Sequence, residues 1–236
     1  MKSLVALVFS ALLPFAAPSA EAVPRTQKPM KIGIIGTGEI GGALARHWAA
    51  AGHQLLISSR HPEQLQSLAK EIGPNVKVGT PREAAAFGEV IMLAVPYGAT
   101  PQVGRDYAAE LKGKVVLDAG NPYPSRDGDM AVRDRQRGTG VASAEYLPGT
   151  RLVRAFNAIN SGPLERDAFR KPERLGIPLA ADDPEAMKVA EQLVRDAGFD
   201  PVPVGKLARA REFDFGTPVY VRGMTAAELR QKLGLK

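Results

Sequence analysis

The chain has 236 residues, of which 44% are hydrophobic and 24% charged, a composition typical of a globular protein built on one large domain. It contains no cysteine, which excludes disulfides, thiolate nucleophiles and cysteine-ligated zinc, and its three histidines (His47, His53 and His61) lack metal-ligand spacing. We therefore expect no metal site. The net charge of +6 is small and spread along the chain, so we also expect no nucleic-acid partner.

The first 22 residues have the three parts of a secretory signal peptide. Lys2 supplies a positive charge, Leu4 to Leu13 form an apolar stretch, and Ala20-Glu21-Ala22 is a small-residue cleavage site that would leave Val23 first. The apolar stretch is too short for a membrane span, and no later apolar stretch in the sequence is long enough for one. These features predict a signal peptide over residues 1–22 and a periplasmic or secreted protein.

Residues 23–30 are polar, contain two prolines and are predicted to be a linker. Met30, at the end of this linker, offers a second interpretation because it stands directly before the first predicted strand. Translation from Met30 would give a cytoplasmic protein without a signal peptide. Both interpretations stay open from the sequence.

From Met30 onward, short apolar runs alternate with helical stretches, a pattern typical of repeated βα units and a mostly parallel sheet. The predicted strands cover residues 31–35, 54–58, 76–78, 90–95, 114–118, 152–156, 177–181 and 201–204. The predicted helices cover residues 39–51, 62–72, 100–111 and 184–197, and two capping boxes, Thr80 with Glu83 and Thr225 with Glu228, open two more. We therefore predict an α/β fold, with a Rossmann-type, doubly wound sheet over residues 31–205, helices on both of its faces, and a short C-terminal helical extension over residues 206–236.

Residues 121–148 are rich in glycine, proline and charge, and they are predicted to form a long loop with one short helix over residues 141–146. Within this segment Arg133, Arg135 and Arg137 alternate with Asp134 and Gln136. We interpret these charges as a solvated loop rather than as a binding patch.

The first predicted strand leads directly into Gly36-Thr37-Gly38-Glu39-Ile40-Gly41, the G-x-G-x-x-G pattern of dinucleotide-binding loops. Gly36 permits the tight turn, Gly38 lets a pyrophosphate approach the backbone, and Gly41 allows the helix to pack closely on the strand. The N–H groups from Gly38 to Ile40 are then expected to face the pyrophosphate.

The second predicted strand ends in Ser58-Ser59-Arg60-His61, where NAD-binding proteins carry a carboxylate for the ribose hydroxyl. No carboxylate stands here to repel a 2′-phosphate. Arg60 can pair with that phosphate through its guanidinium, and Ser59 can donate a hydrogen bond. The predicted cofactor is therefore NADP(H) rather than NAD(H).

Three further strand ends carry polar or pocket-forming residues, namely Ala94-Val95-Pro96-Tyr97, Asp118-Ala119-Gly120-Asn121-Pro122 and Phe156-Asn157-Ala158-Ile159-Asn160. Ligands bind beyond the carboxyl ends of parallel strands, so these segments are expected to surround the nicotinamide and the second substrate. None of them offers a His or Lys as general acid, which favours hydride transfer between two ring systems. The catalytic candidates are Tyr97, Asn121 and Asn157, although Tyr97 is also explained as a pocket wall and the asparagines as turn residues.

From about Met30 to Tyr220 the chain resembles the NADPH-dependent reductases of the deazaflavin coenzyme F420, and the reductase domain of the metalloreductases looks similar too. The resemblance rests on the loop from Gly36 to Gly41, Ser58-Ser59-Arg60, and the segments 93–97, 118–122, 154–157 and 177–186. It implies that NADP(H) is the cofactor, that hydride passes to a small-molecule acceptor (coenzyme F420 or a flavin), and that a homodimer can form.

The resemblance also implies roles for individual positions. Thr37, Gly38, Glu39 and Ile40 would line the pyrophosphate, Ser59 and Arg60 would hold the 2′-phosphate, and Ala94, Val95 and Pro96 would lie along the nicotinamide with Asn121 close by.

Two alternatives remain. A dehydrogenase of the β-hydroxyacid or pyrroline-carboxylate type shares a similar first domain, but it requires a long all-helical second domain. A non-catalytic dinucleotide-binding sensor would explain both the missing general acid and the export signal.

Overall fold

Eight strands form one sheet in the computed structural model, which describes residues 28–235. In chain order the strands are β1 (Lys31–Ile35), β2 (Gln54–Ser58), β3 (Val76–Gly79), β4 (Val90–Leu93), β5 (Val115–Asp118), β6 (Arg151–Arg154), β7 (Gly176–Ala181) and β8 (Asp200–Gly205). Their order across the sheet is β3-β2-β1-β4-β5-β6-β7-β8. Every neighbouring pair is parallel except β6 with β7, so the prediction of a mostly parallel sheet is confirmed.

Helices cover both faces of this sheet. They are α1 (Glu39–Ala50), α2 (Gln66–Ile72), α3 (Pro81–Phe87), α4 (Thr100–Asp106), α5 (Ala108–Leu111), α6 (Pro124–Arg137), α7 (Thr139–Tyr146), α8 (Ser161–Arg166), α9 (Pro184–Asp196) and α10 (Ala226–Lys232). One hydrophobic cluster surrounds Trp48 on the face of α1 and α9, and a second surrounds Ile91 on the face of α3 and α4. The doubly wound α/β prediction is therefore confirmed.

The central strands are buried on both faces, as parallel strands between two helical layers must be. β4 and β5 are buried along their whole length. On β1, a Cβ added at Gly33 would lie 2.0 Å from the carbonyl oxygen of Ala84, so glycine is what allows α3 to pack directly against the strand. Because β1, β4, β5 and β6 are parallel neighbours, their carboxyl ends lie along one edge of the sheet.

The prediction that residues 121–148 are mostly loop is wrong, because α6 occupies residues 124–137, whereas the short helix predicted over residues 141–146 is confirmed by α7. Gly128 (φ +59°) kinks α6 and Gly138 (φ +95°) ends it, so α6 shows no long uninterrupted helical period in the sequence. Tertiary contacts hold α6 instead. Buried Asp134 accepts hydrogen bonds from the hydroxyls of Tyr97 (3.3 Å) and Tyr146 (2.7 Å).

Both predicted capping boxes are confirmed: Thr80 opens α3 and Thr225 opens α10. Between β8 and α10 the chain forms a short 3-10 helix (Leu207–Glu212) and then folds back across the sheet edge. The N–H of Val221 donates to the carbonyl oxygen of Ala158 at 3.0 Å. This contact brings the tail against the loop that follows β6.

The predicted signal peptide and most of the predicted linker lie outside the described residues. Among residues 28–235, no helix has the length and apolar character needed to cross a membrane. The boundary between a cofactor domain at 31–205 and an extension at 206–236 stays a prediction.

Candidate functional site

The glycine-rich loop after β1 is shaped by close backbone contacts. Gly36 has φ of +93°, and a Cβ there would lie 2.6 Å from the carbonyl oxygen of Ala94, while a Cβ at Gly41 would lie 2.2 Å from the carbonyl oxygen of Gly36. At Gly38 an added Cβ would meet no described atom within 4 Å. The loop is therefore packed tightly on its inner side and open at Gly38, which suits the approach of a ligand to the backbone.

Helix α1 begins just beyond this loop with unpaired N–H groups. Gly38 is its N-cap and provides no side-chain cap, so the first-turn N–H groups face outward, as in anion-binding helices. Thr37 behaves differently, because its N–H (3.0 Å) and its hydroxyl (3.0 Å) both donate to the carbonyl oxygen of Ser58. Thr37 therefore connects the glycine-rich loop to the end of β2.

The end of β2 carries Ser59 and Arg60 at the surface. The hydroxyl oxygen of Ser59 accepts a hydrogen bond from the N–H of His61 at 3.0 Å. Arg60 is exposed, and within residues 28–235 its guanidinium forms neither a hydrogen bond nor an ion pair. Its charge is therefore not neutralised by the described protein.

A cleft of about 380 Å³ lies at the carboxyl edge of the sheet, beside this loop. Seven of the predicted site residues line it, namely Gly38, Glu39, Ile40, Ala94, Val95, Pro96 and Asn121. The remaining predicted cofactor residues, Gly36, Thr37, Gly41, Ser59 and Arg60, do not line it. The first three shape the loop, and the last two stand at the end of β2.

A wider groove, of about 900 Å³, opens at the opposite edge of the sheet, where β4 and β5 begin. Several of its charged side chains are paired, as in the ion pairs Arg151–Asp183 and Lys188–Glu185. Ligands of parallel α/β sheets bind at the carboxyl edge. The smaller cleft is therefore the candidate functional site.

The far half of the cleft consists of residues that the sequence did not single out. Tyr123, at the start of α6, and Tyr220, from the tail, line it, and their hydroxyl oxygens are 2.6 Å apart. Burial and the hydrogen bond with Tyr123 raise the pKa of Tyr220, so its hydroxyl stays protonated at neutral pH. Tyr123 follows the end of β5 by a few residues, which is a weak sequence signal, and no sequence signal marks Tyr220, which lies in the tail.

The mouth of the cleft is bridged between the glycine-rich loop and α8. The hydroxyl of Ser161 donates to a carboxylate oxygen of Glu39 at 2.6 Å. On the floor, Phe156 has φ of +60°, a left-handed conformation that is uncommon for an aromatic residue, and its ring packs edge-on against Trp48.

Asn121 is the one catalytic candidate that reaches the cleft. Its Nδ2 donates to the carbonyl oxygen of Asn157 at 2.8 Å, and the reverse orientation would set two oxygens against each other. Its Oδ1 is buried and accepts no hydrogen bond from residues 28–235. A buried acceptor of this kind is costly unless a ligand donates to it.

The other two candidates do not line the cleft. Tyr97 is fully buried, and burial together with the neighbouring Asp134 carboxylate raises its pKa, so it remains a protonated donor to Asp134. Asn157 is also buried, and its Nδ2 lies 3.3 Å from an oxygen of Asp214. Their positions suit support of the site rather than contact with a substrate.

Beneath the cleft, Arg154 forms a fully buried ion-pair network. Its Nη1 donates to Asp118 Oδ2 (2.9 Å) and to the carbonyl oxygen of Gly120 (2.7 Å), and its Nη2 donates to Asp214 Oδ1 (3.0 Å). Burial alone would lower the pKa of Arg154, but the two carboxylates raise it above its ordinary value. The network joins the ends of β5 and β6 to the tail.

Comparison with known proteins identifies relatives of this chain. A family profile described as "NADP oxidoreductase coenzyme F420-dependent" matches residues 31–122. The F420-dependent NADP reductase of Methanothermobacter marburgensis is 32% identical over 213 residues, which cover 81% of this chain and 91% of that protein. The chain belongs to the F420-dependent NADP reductase family.

Two further proteins are similar to this chain. Metalloreductase STEAP3 of Rattus norvegicus is 29% identical over 194 residues, covering 78% of this chain and 36% of that protein, so the chain spans about a third of that relative. The crystal structure of the hypothetical protein SMa0349 from Sinorhizobium meliloti has 28% identity and a TM-score of 0.73, covering 84% of this chain and 96% of that one. The resemblance drawn from the sequence is confirmed at the level of the family.

Replacing Arg154 by methionine is expected to lower the free energy of unfolding by about 3–5 kcal/mol, because Asp118 and Asp214 would stay buried without their counter-charge. Arg151→Met, on the same strand, is the matched control. Its ion pair with Asp183 is partly exposed, and its loss should cost about 1 kcal/mol or less. Urea unfolding of the three proteins measures both values, and equal losses would show that the buried network is not a special constraint.

Proposed function

We propose that this protein is an NADP(H)-dependent oxidoreductase that passes hydride between NADPH and a deazaflavin or flavin-like acceptor. The observation that carries the proposal is the cleft at the carboxyl edge of the sheet. A glycine-rich loop and a helix N-terminus stand at one end of it, and Tyr123 and Tyr220 stand at the other. An extended dinucleotide suits the first end, and a planar ring suits the second.

The cofactor end is proposed to use two kinds of contact. The N–H groups at the start of α1 hold the pyrophosphate, because a helix N-terminus stabilises negative charge. Arg60, exposed and without a described partner, pairs with the 2′-phosphate, with Ser59 beside it. NADP(H) is therefore proposed as the preferred dinucleotide.

The chemistry at the other end needs positioning more than proton transfer. Among residues 28–235, those that line the cleft include no histidine and no lysine. Bound NADPH supplies the hydride, and Asn121, Pro96 and the tyrosine pair are proposed to hold the two ring systems face to face and to exclude water.

The two alternatives are not favoured. Residues after Arg154 form β7, β8 and short helices on the same sheet, whereas a β-hydroxyacid-type dehydrogenase requires a long helical domain. A sensor module is disfavoured because relatives that match over most of this chain are named reductases. The homodimer implied by the resemblance stays a prediction.

The function is tested by following the reduction of coenzyme F420, flavin mononucleotide and riboflavin by NADPH and by NADH. We expect NADPH to support turnover with at least one of them. Arg60→Ala should lower kcat/KM for NADPH by about 10- to 100-fold, the effect of losing one charge-assisted phosphate contact, and should change kcat/KM for NADH by about 2-fold or less.

Arg230→Ala is the matched control, since Arg230 is an exposed arginine on α10. It should leave both values unchanged. Binding of NADPH without oxidation by any of the three acceptors would favour the sensor alternative. If Arg60→Ala lowered kcat/KM equally for NADPH and NADH, Arg60 would not contact the 2′-phosphate.

A second prediction concerns the unpaired Oδ1 of Asn121. The nicotinamide carboxamide carries an N–H donor for it, whereas the acetylpyridine analogue of NADPH carries a methyl group there. Asn121→Ala should weaken binding of NADPH by about 5- to 30-fold, corresponding to about 1–2 kcal/mol, and weaken the analogue less. Fluorescence titration of the wild-type and Asn121→Ala proteins with NADPH and with the analogue measures the four dissociation constants. If the substitution weakened binding of both dinucleotides equally, Asn121 would not contact the carboxamide.

For the N-terminus, we propose export with cleavage after Ala22. The supporting observation is the order of charge, apolar stretch and Ala20-Glu21-Ala22 in the sequence. Mass spectrometry of the protein from its native host should find Val23 as the first residue. A protein that begins at Met30 would instead support the cytoplasmic interpretation.

A further inference from the structure

The three alternating arginines near the C-terminal end of α6 have different surroundings. Arg133 pairs with Asp134 and donates to the hydroxyl of Tyr146, and Arg137 pairs with Glu145. Arg135 has no acidic partner within residues 28–235, and its guanidinium lies 4.6 Å from the ring centroid of Phe215. Arg135 is therefore the one arginine of the three whose charge is not paired with a described carboxylate.

A pocket of about 420 Å³ lies beside Arg135, between α6, the start of α7 and the 3-10 helix over residues 207–212. We name it the arginine pocket, after Arg135 and Arg211, which border it together with Thr139 and Phe215. Arg211 also lacks an acidic partner among the described residues, and its one hydrogen bond is a long contact (3.5 Å) to the carbonyl oxygen of Gln136. Two exposed guanidinium groups therefore face one small volume.

A buried hydroxyl in the same pocket is also without a partner. Thr139 is only 1% exposed, and its Oγ1 makes no hydrogen bond with residues 28–235. An orphan hydroxyl at this depth costs free energy unless something outside the described protein pairs with it. Thr139 borders the arginine pocket, so this observation, which is independent of the two arginines, concerns the same pocket.

One carboxylate, that of Asp214, also borders the pocket. Its charge is already engaged, because Oδ1 accepts from Arg154 at 3.0 Å and Oδ2 accepts from the N–H of Thr139 at 3.3 Å. The charge that remains in the arginine pocket is therefore positive.

We propose that the arginine pocket binds a phosphate or carboxylate group. Two guanidinium groups supply charge-assisted hydrogen bonds of the geometry that such anions accept, and the hydroxyl of Thr139 supplies a third donor. The anion belongs either to a free small molecule or to an extension of the electron acceptor.

The pocket shares a wall with the cleft. The ring of Phe215 borders the arginine pocket, and its centroid lies 4.9 Å from that of Tyr123 and 5.4 Å from that of Tyr220, both of which line the cleft. A ligand held by Arg135 therefore lies directly behind the aromatic end of the cleft, where the proposed acceptor ring would bind.

The first experiment titrates the full-length protein with inorganic phosphate by calorimetry at neutral pH and low ionic strength. Arg135→Gln and Arg211→Gln should each weaken binding about 10-fold or more, and Thr139→Val, which keeps the shape of the side chain, about 3-fold or more. Arg230→Gln removes the same charge elsewhere and should change binding about 2-fold or less, whereas Arg60→Gln reports separately on phosphate held at the end of β2.

The second experiment distinguishes the two sources of the anion, and it alone rests on the proposed function. If the anion is part of the acceptor, Arg135→Gln should raise KM for flavin mononucleotide about 10-fold, with little change for riboflavin, which lacks the phosphate. If the anion is a free molecule, KM is unchanged for both flavins while phosphate binding is still lost.

Two results would overturn the inference. One is a protein that binds no phosphate in the first experiment. The other is phosphate binding that Arg60→Gln weakens and the pocket variants do not, which would place the anion at the end of β2 and leave the proposed function intact.

Discussion

The carboxyl edge of this sheet depends on one buried guanidinium. Arg154 is fully buried, and its hydrogen bonds reach Asp118 at the end of β5, the backbone of Gly120, and Asp214 in the tail. Burying three charges carries a large desolvation cost, which is offset only when hydrogen bonds and opposite charge are arranged closely, as here. Because any displacement of these elements would expose an unpaired charge to an apolar interior, the network fixes their relative positions more than it adds stability.

That constraint extends to the cleft through two asparagines. Asp118 and Gly120, which hold Arg154, stand just before Asn121, so the strand end cannot move independently of the network. Asn157 lies 3.3 Å from Asp214 through Nδ2, and its carbonyl oxygen accepts from Asn121. The orientation of the Asn121 amide, and hence the direction of its unpaired oxygen, is therefore set by Asn157, which does not line the cleft.

The sequence predicted the features that are encoded locally. The glycine-rich loop, the end of β2 and both capping boxes each depend on neighbouring residues, and the structure contains all of them as predicted. The failures have a common cause. Gly128 kinks α6 and Gly138 ends it, and buried Asp134 of this helix pairs with Tyr97 and Tyr146, a tertiary contact that a local sequence pattern does not reveal. Tyr220 and Asp214 reach the site only because the tail folds back, which composition and spacing do not predict.

The two ends of the cleft are therefore encoded in different parts of the chain. The family profile covers residues 31–122, which include the loop, Arg60 and Asn121, but neither Arg154 nor the tail. A metalloreductase more than twice as long matches most of this chain, so a similar domain also occurs within a larger architecture. Since the tail supplies Tyr220 to the cleft and places Phe215 behind it, substitutions in the tail would alter the proposed acceptor end without disturbing the contacts proposed for the dinucleotide.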